Sequence, residues 1–142
     1  MATVAELLQQ KRPGLHSIEP DAPVLAAIAA LAENGIGALV VLDNQQLVGI
    51  VSERDYARKV ILCGRSSSDT PVSQIMSAPV LTVRPDQTTR ECMELVTNYR
   101  VRHLPVVDGQ QVIGILSIGD LLRAALAEQQ QTIEQLERYI HT

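Results

Sequence analysis

The 142-residue sequence predicts an α+β fold in which two β-α-β-β-α repeats pack about a pseudo-twofold axis, followed by a C-terminal helical extension. Three observations carry this expectation. Sliding the chain by 65 positions aligns Ile18–Asp55 with Val83–Asp120 without a gap, and identities cluster at the turns and strand ends: Pro20/Pro85, Asp21/Asp86, Leu39/Leu104, Val41/Val106, Asp43/Asp108, Gly49/Gly114, Ser52/Ser117 and Asp55/Asp120. Each copy sets two apolar runs around a turn-forming tetrapeptide, DNQQ and then DGQQ, as a hairpin requires. Each copy also closes its second run with Ser-x-x-Asp, where strand-like patterning gives way to a helix start.

Taken in order, each copy opens with a short apolar lead-in, VAELL or VSQIM, and a brief strand that ends in Pro-Asp. Asp21 and Asp86 are candidate helix N-caps, and Pro23 suits a first helical turn. The first helix is expected to turn Leu25, Ile28, Leu31 and Ala32 inward, and its repeat Met93, Leu95, Val96 and Tyr99. Gly35 then stops the first helix. Strands are expected at Ala38–Leu42 and Leu47–Ser52, and at Leu104–Val107 and Val112–Ser117; their unbroken apolar character implies burial on both faces. A second helix begins near Asp55 or Asp120. Cys63–Pro71, rich in small polar residues, reads as the linker, which divides the chain into repeats at 1–66 and 67–127 with an extension at 128–142. In that last stretch Leu122, Leu126, Ile133, Leu136 and Ile140 nearly keep heptad spacing, interrupted by Gln129. Such a stripe suits either packing on its own domain or a dimer seam.

Composition removes several classes of function. A net charge of −4 disfavours binding to nucleic acid or to an anionic membrane, both of which want a basic face. Phe and Trp are absent, so Val, Ile, Leu, Ala and Met must build the core. Cys63 and Cys92 form no C-x-x-C, and Cys92 falls at a helical core position. The chain has no long apolar run and its start lacks a signal-peptide pattern, so the expected location is cytoplasmic. No phosphate loop, G-x-G-x-x-G, H-E-x-x-H or G-x-S-x-G occurs, and His16, His103 and His141 lack metal-ligand spacing. No enzyme activity, metal site or catalytic cofactor is expected.

The stretches RHLPVVD and GILSIGDLL, paired with GALVVLD and GIVSERDY, resemble a tandem cystathionine-β-synthase (CBS) domain pair, or Bateman module. The resemblance runs from about Val4 to Leu126, and SERDYARKVILCGRSSSDTPVSQIM is similar to stand-alone pairs of bacteria and plant organelles. It implies a regulatory module that binds an adenosine-containing ligand (AMP, ADP, ATP, NAD or S-adenosylmethionine) in clefts between the repeats. It implies energy sensing, a homodimer, and a regulated protein in trans, since the chain has no room for an effector domain. The rival expectation is a ligand-free scaffold for protein–protein interaction or dimerisation.

The Ser-x-x-Asp pairs carry two meanings. Ser52 with Asp55, and Ser117 with Asp120, match a capping box that satisfies free N–H groups at a helix start. The same geometry lets a carboxylate accept hydrogen bonds from a ribose diol while the serine and the helix N-terminus face phosphate, and the resemblance assigns ribose to Asp120 and Asp55. Arg102 and His103 stand at a strand entrance where charge-assisted bonds can hold phosphate, or where they are simply solvated and half-buried. Their counterparts Gly37 and Ala38 are small enough to wall a slot for adenine. By resemblance Thr82 and Val83, with Ser17 and Ile18 in the first copy, contact base or ribose, and Pro105 and Ile118 complete the ligand-binding set. Arg54 and Tyr56 flank Asp55, and Arg58, Lys59 and Arg65 follow beside GRSSS; this basic stretch reads as a solvated face or as extra contacts for a diphosphate such as ADP or NAD.

Overall fold

The computed structural model describes residues 2–141. In chain order the elements are α1 (Val4–Gln9), β1 (Ser17–Ile18), α2 (Val24–Asn34), β2 (Ala38–Asp43), β3 (Gln46–Ser52), α3 (Glu53–Tyr56), α4 (Thr89–Tyr99), β4 (His103–Asp108), β5 (Gln111–Ser117) and α5 (Ile118–His141). A π-helical turn, Ala57–Ile61, continues α3, and a 3₁₀ turn spans Val72–Gln74. The chain gathers into two compact units. One comprises Leu15–Leu81 with Gly109–Val112; the other comprises Met1–Gly14, Thr82–Asp108 and Ile113–Thr142.

In the Leu15–Leu81 unit, β1 runs parallel to β2 and β2 antiparallel to β3. The register pairs Ser17 with Val40, Ala38 with Ser52 and Asp43 with Gln46. That last pair leaves a two-residue turn in which Asn44 and Gln45 both take positive φ, at 49° and 71°, the primed geometry that matches strand twist. Ala38 to Val41 are all buried, as a strand covered on both faces demands. They join Val24, Ala27, Leu31, Val51, Val60, Val72 and Ile75 in the core. The left-handed Gly35 (φ 61°) ends α2 as expected.

The other unit holds the β4–β5 hairpin, α4, α5 and α1. Its turn uses Gly109 at φ 66°, and α4 stops at Arg100, a left-handed residue (φ 54°) where the first copy has glycine. The expected opening strand shrinks to one parallel bridge, Val83 to Val106, because Arg84 N–H turns away to the Gln87 side chain. Burial alternates along β5: Val112, Gly114 and Leu116 are covered while Ile113 is exposed, so two-sided burial does not extend to this strand.

Two helix expectations need correction. Asp21 and Asp86 cap nothing: α2 begins at Val24 after Pro23, and α4 begins after Thr88, whose hydroxyl accepts the Glu91 N–H at 3.2 Å. The free N–H groups of α2 are instead met by main-chain carbonyls, Val24 donating to Thr70 at 2.8 Å and Leu25 to Ser67 at 3.0 Å. The inward faces shift accordingly. Val24, Ala27 and Leu31 are buried in α2 while Leu25 and Ala32 are exposed; Thr89, Cys92 and Val96 are buried in α4 while Tyr99 is exposed.

The lead-ins also change places. VAELL forms α1 inside the unit of the second copy, where Val4 N–H donates to Gln87, Ala5 to Pro85 and Thr89 to Ala2, at 2.8, 3.0 and 3.0 Å. VSQIM does the same for the first copy: Val72 donates to Ala22, Ser73 to Pro20 and Val24 to Thr70, each at 2.8 Å. Subtracting 65 from Gln87, Pro85 and Thr89 returns Ala22, Pro20 and Val24, so one three-bond pattern occurs twice. The compact units therefore cross the chain-order divisions at 66/67 and 127/128. Helix α5 runs without a break from Ile118 to His141, and Leu122, Leu126, Ile133, Leu136 and Ile140 are all exposed along it.

Candidate functional site

Each Ser-x-x-Asp sits where the second hairpin strand passes into a helix. In the second copy Ser117 N–H donates to Asp120 Oδ2 at 2.8 Å, and Asp120 N–H donates to Ser117 Oγ at 3.2 Å. This is the reciprocal pattern of a capping box. Two cations close on the same carboxylate. Lys11 Nζ lies 2.8 Å from Oδ2 and also donates to the Ile115 carbonyl at 2.7 Å; Arg123 Nη2 lies 2.6 Å from Oδ1. Asp120 is only 9% exposed. Burial alone would raise its pKa, but the Lys11 ammonium and the Ser117 N–H outweigh that and hold the carboxyl below its ordinary value.

The first copy builds the same corner from different parts. Asp55 Oδ2 accepts Ser52 N–H and Ser52 Oγ–H, both at 3.0 Å, and Asp55 N–H donates to Ser52 Oγ at 3.2 Å. Its Oδ1 accepts the Ser77 hydroxyl and pairs with Lys59 Nζ, each at 3.2 Å. Four donors thus surround Asp55, two of them hydroxyls and one a cation that also bonds the Ile75 carbonyl at 2.9 Å.

The residues singled out from the sequence assemble by copy. In the second, Val83 N–H donates to the Pro105 carbonyl at 3.0 Å and Val107 N–H to Val83 at 2.9 Å, which holds Thr82–Val83 against β4. Ile118 N–H donates to the Arg102 carbonyl at 2.9 Å, tying the entrance of β4 to the start of α5. Arg102, His103, Pro105, Thr82, Val83, Ser117, Ile118 and Asp120 therefore share one end of one sheet. The Arg102 side chain is exposed, His103 is half-buried and Pro105 is buried. In the first copy Glu53 N–H donates to Gly37 at 3.2 Å, the same tie shifted by 65 positions, and Ser17 and Ile18 pair with Val40 and Val41. Gly37, Ala38, Ser17, Ile18, Ser52, Arg54 and Asp55 form the matching edge.

The basic stretch after Asp55 turns largely to internal partners. Lys59 bonds Asp55 and Ile75, Arg65 bonds the Gln74 side chain, and the Tyr56 hydroxyl meets Ser67 Oγ at 3.2 Å. Lys11, Ser77 and Arg123 were not singled out from the sequence. Arg123 carried a signal, since it follows Asp120 by three helical positions. Lys11 and Ser77 carried none, because each comes from a lead-in that serves the other copy. Among the described residues no cluster of His, Cys, Asp or Glu is arranged to hold a metal ion, and no helix is long and apolar enough to cross a membrane.

Comparison with known proteins agrees with this geometry. The CBS-domain family matches residues 4–62 and 72–127. A mitochondrial CBS domain-containing protein of Arabidopsis thaliana, CBSX3, is 40% identical over 84% of this chain, which spans 61% of that protein's length. A solved CBS-domain protein of Burkholderia ambifaria is 49% identical, with a TM-score of 0.86 over 90% of this chain and 96% of that one. The CBS domain protein PAE2072 of Pyrobaculum aerophilum, solved in complex with AMP, is 30% identical, with a TM-score of 0.79 over 89% of this chain and 97% of that one.

Proposed function

The chain belongs to the CBS-domain family, whose paired members are regulatory modules, and from that premise we propose that it senses an adenosine-containing ligand and relays its occupancy to a partner protein. The observation that carries this reading is the Asp120 corner. A nearly buried carboxylate at the start of a long helix is held ionised beside two cations, with Arg102 and His103 entering from the adjoining strand end. A carboxylate accepts ribose hydroxyls, while the cations and the helix N-terminus favour phosphate. The AMP complex of the Pyrobaculum relative supports AMP as the first ligand to try, before ADP, ATP and NAD. The Asp55 corner, ringed by its own donors, is the weaker candidate.

We also infer that α5 joins a second copy of the chain. Its a and d positions (Leu122, Leu126, Ile133, Leu136, Ile140) are exposed, and Gln129 at a d position would meet its own copy in a parallel pair. The apolar stripe is also what favours the second reading, a ligand-free scaffold.

Isothermal titration with AMP, ADP, ATP and NAD decides between the two. At least one should bind, and Asp120→Ala should weaken it by tenfold or more, about 1.4 kcal/mol, in protein that keeps its circular dichroism. Failure of all four to bind the wild type leaves the scaffold reading.

A further inference from the structure

Lys11 lies far from both Ser-x-x-Asp pairs in sequence, yet its ammonium occupies the most constrained acceptor of the Asp120 corner. A carboxylate oxygen offers two lone-pair positions. On Asp120 Oδ2 one is taken by Ser117 N–H, a main-chain bond that belongs to the helix cap, and the other by Lys11. A diol that donates one hydroxyl to each carboxylate oxygen must therefore displace Lys11, because the cap bond is part of the backbone. The displaced ammonium stays close by. It is also anchored to the Ile115 carbonyl at 2.7 Å, and its side chain is 37% exposed, so it can swing toward solvent without crossing the core.

Charge then decides which ligands can make the exchange. Asp120, Lys11 and Arg123 together carry one net positive charge. A neutral nucleoside would separate Lys11 from its counter-ion and offer nothing in return. A nucleoside phosphate brings roughly two negative charges and gives the released ammonium a new partner.

We propose that Lys11 is an exchangeable cation, paired with Asp120 in the structure and with the ligand's phosphate once ribose hydroxyls take its place. The corner thereby selects nucleoside phosphates over nucleosides. This rests on the adenosine-ligand reading above and adds a selectivity residue from the lead-in of the opposite copy. It also ties occupancy to α1, since Lys11 follows that helix directly.

The test compares the dissociation constants of AMP and adenosine in the full chain, in Lys11→Met and in Lys11→Gln. The glutamine variant keeps a donor for the Ile115 carbonyl and covers the case in which the methionine variant fails to fold. Wild type should prefer AMP, and either variant should lower that preference by about tenfold, the loss of one charge-assisted bond. An AMP preference that survives both substitutions overturns the proposal while leaving the ligand reading intact. Binding of neither compound to the wild type removes the ligand reading and the proposal together.

Discussion

Leu8 lies directly over Gly114: a β-carbon on that glycine would come within 2.8 Å of Leu8 Cδ2. Met76 stands over Gly49 in the same way, with its Cγ 2.9 Å from a β-carbon built there. Both glycines lie in the second hairpin strand of their copy, and both partners come from a lead-in. The absence of a side chain is what admits the lead-in to the sheet.

Gly114→Ala should therefore destabilise the protein by about 1–3 kcal/mol through overpacking, read as a lower urea midpoint. Leu8→Ala should absorb much of that loss in the double variant, since the two residues touch. Strict additivity would show that α1 does not lie on β5.

Asp120→Asn should cost about 1–3 kcal/mol at neutral pH, toward the lower end because Lys11 is partly solvent-exposed and screened. Since folding lowers the carboxyl's pKa from its ordinary 3.8, its contribution is complete above that value and fades as pH falls through the folded one. Wild-type and variant stabilities should converge in acid below about pH 4. A gap that widens there would contradict the ion pairing.

The two cysteines should react at very different rates. Cys63 is exposed, whereas Cys92 is fully buried in α4, and burial together with the neighbouring Glu91 carboxylate pushes its thiol up to about 11. At pH 8 a thiol-specific reagent should titrate one cysteine in native protein and the second only after denaturant is added. Prompt reaction of both would place Cys92 outside the core.

Gln45→Gly should stabilise the first hairpin by about 1 kcal/mol, because Gln45 holds a left-handed conformation that costs a side-chain-bearing residue roughly that much. The matching change in the second turn, Gln110→Gly, should give no gain, since Gly109 already takes the positive φ there. A calorimetric melt of each variant checks the contrast.

Much of this molecule was legible because it is written twice. The hairpins, their turns, the stop at Gly35 and the capping geometry of Ser52/Asp55 and Ser117/Asp120 all depend on neighbours a few residues away. What escaped depends on distant partners. Asp21 and Asp86 were plausible caps until Thr70 and Ala2 carbonyls took the N–H groups they would have served. With the helix starts displaced, Leu25 and Tyr99 moved outward and Val24 and Cys92 moved inward. Lys11 and Ser77 reach the carboxylates only because the lead-ins are exchanged, and no local pattern announces such an exchange.

That exchange bears on how the polypeptide comes off the ribosome. Residues 15–81 emerge as an uninterrupted stretch and need only the Gly109–Val112 tip to complete their unit, whereas α1, made first, belongs with residues from Thr82 onward. Domains generally fold as they are made, N-terminal first. Here the earliest segment must wait until the inner unit and most of the remaining chain have been translated, so the first residues synthesised are among the last to find their place.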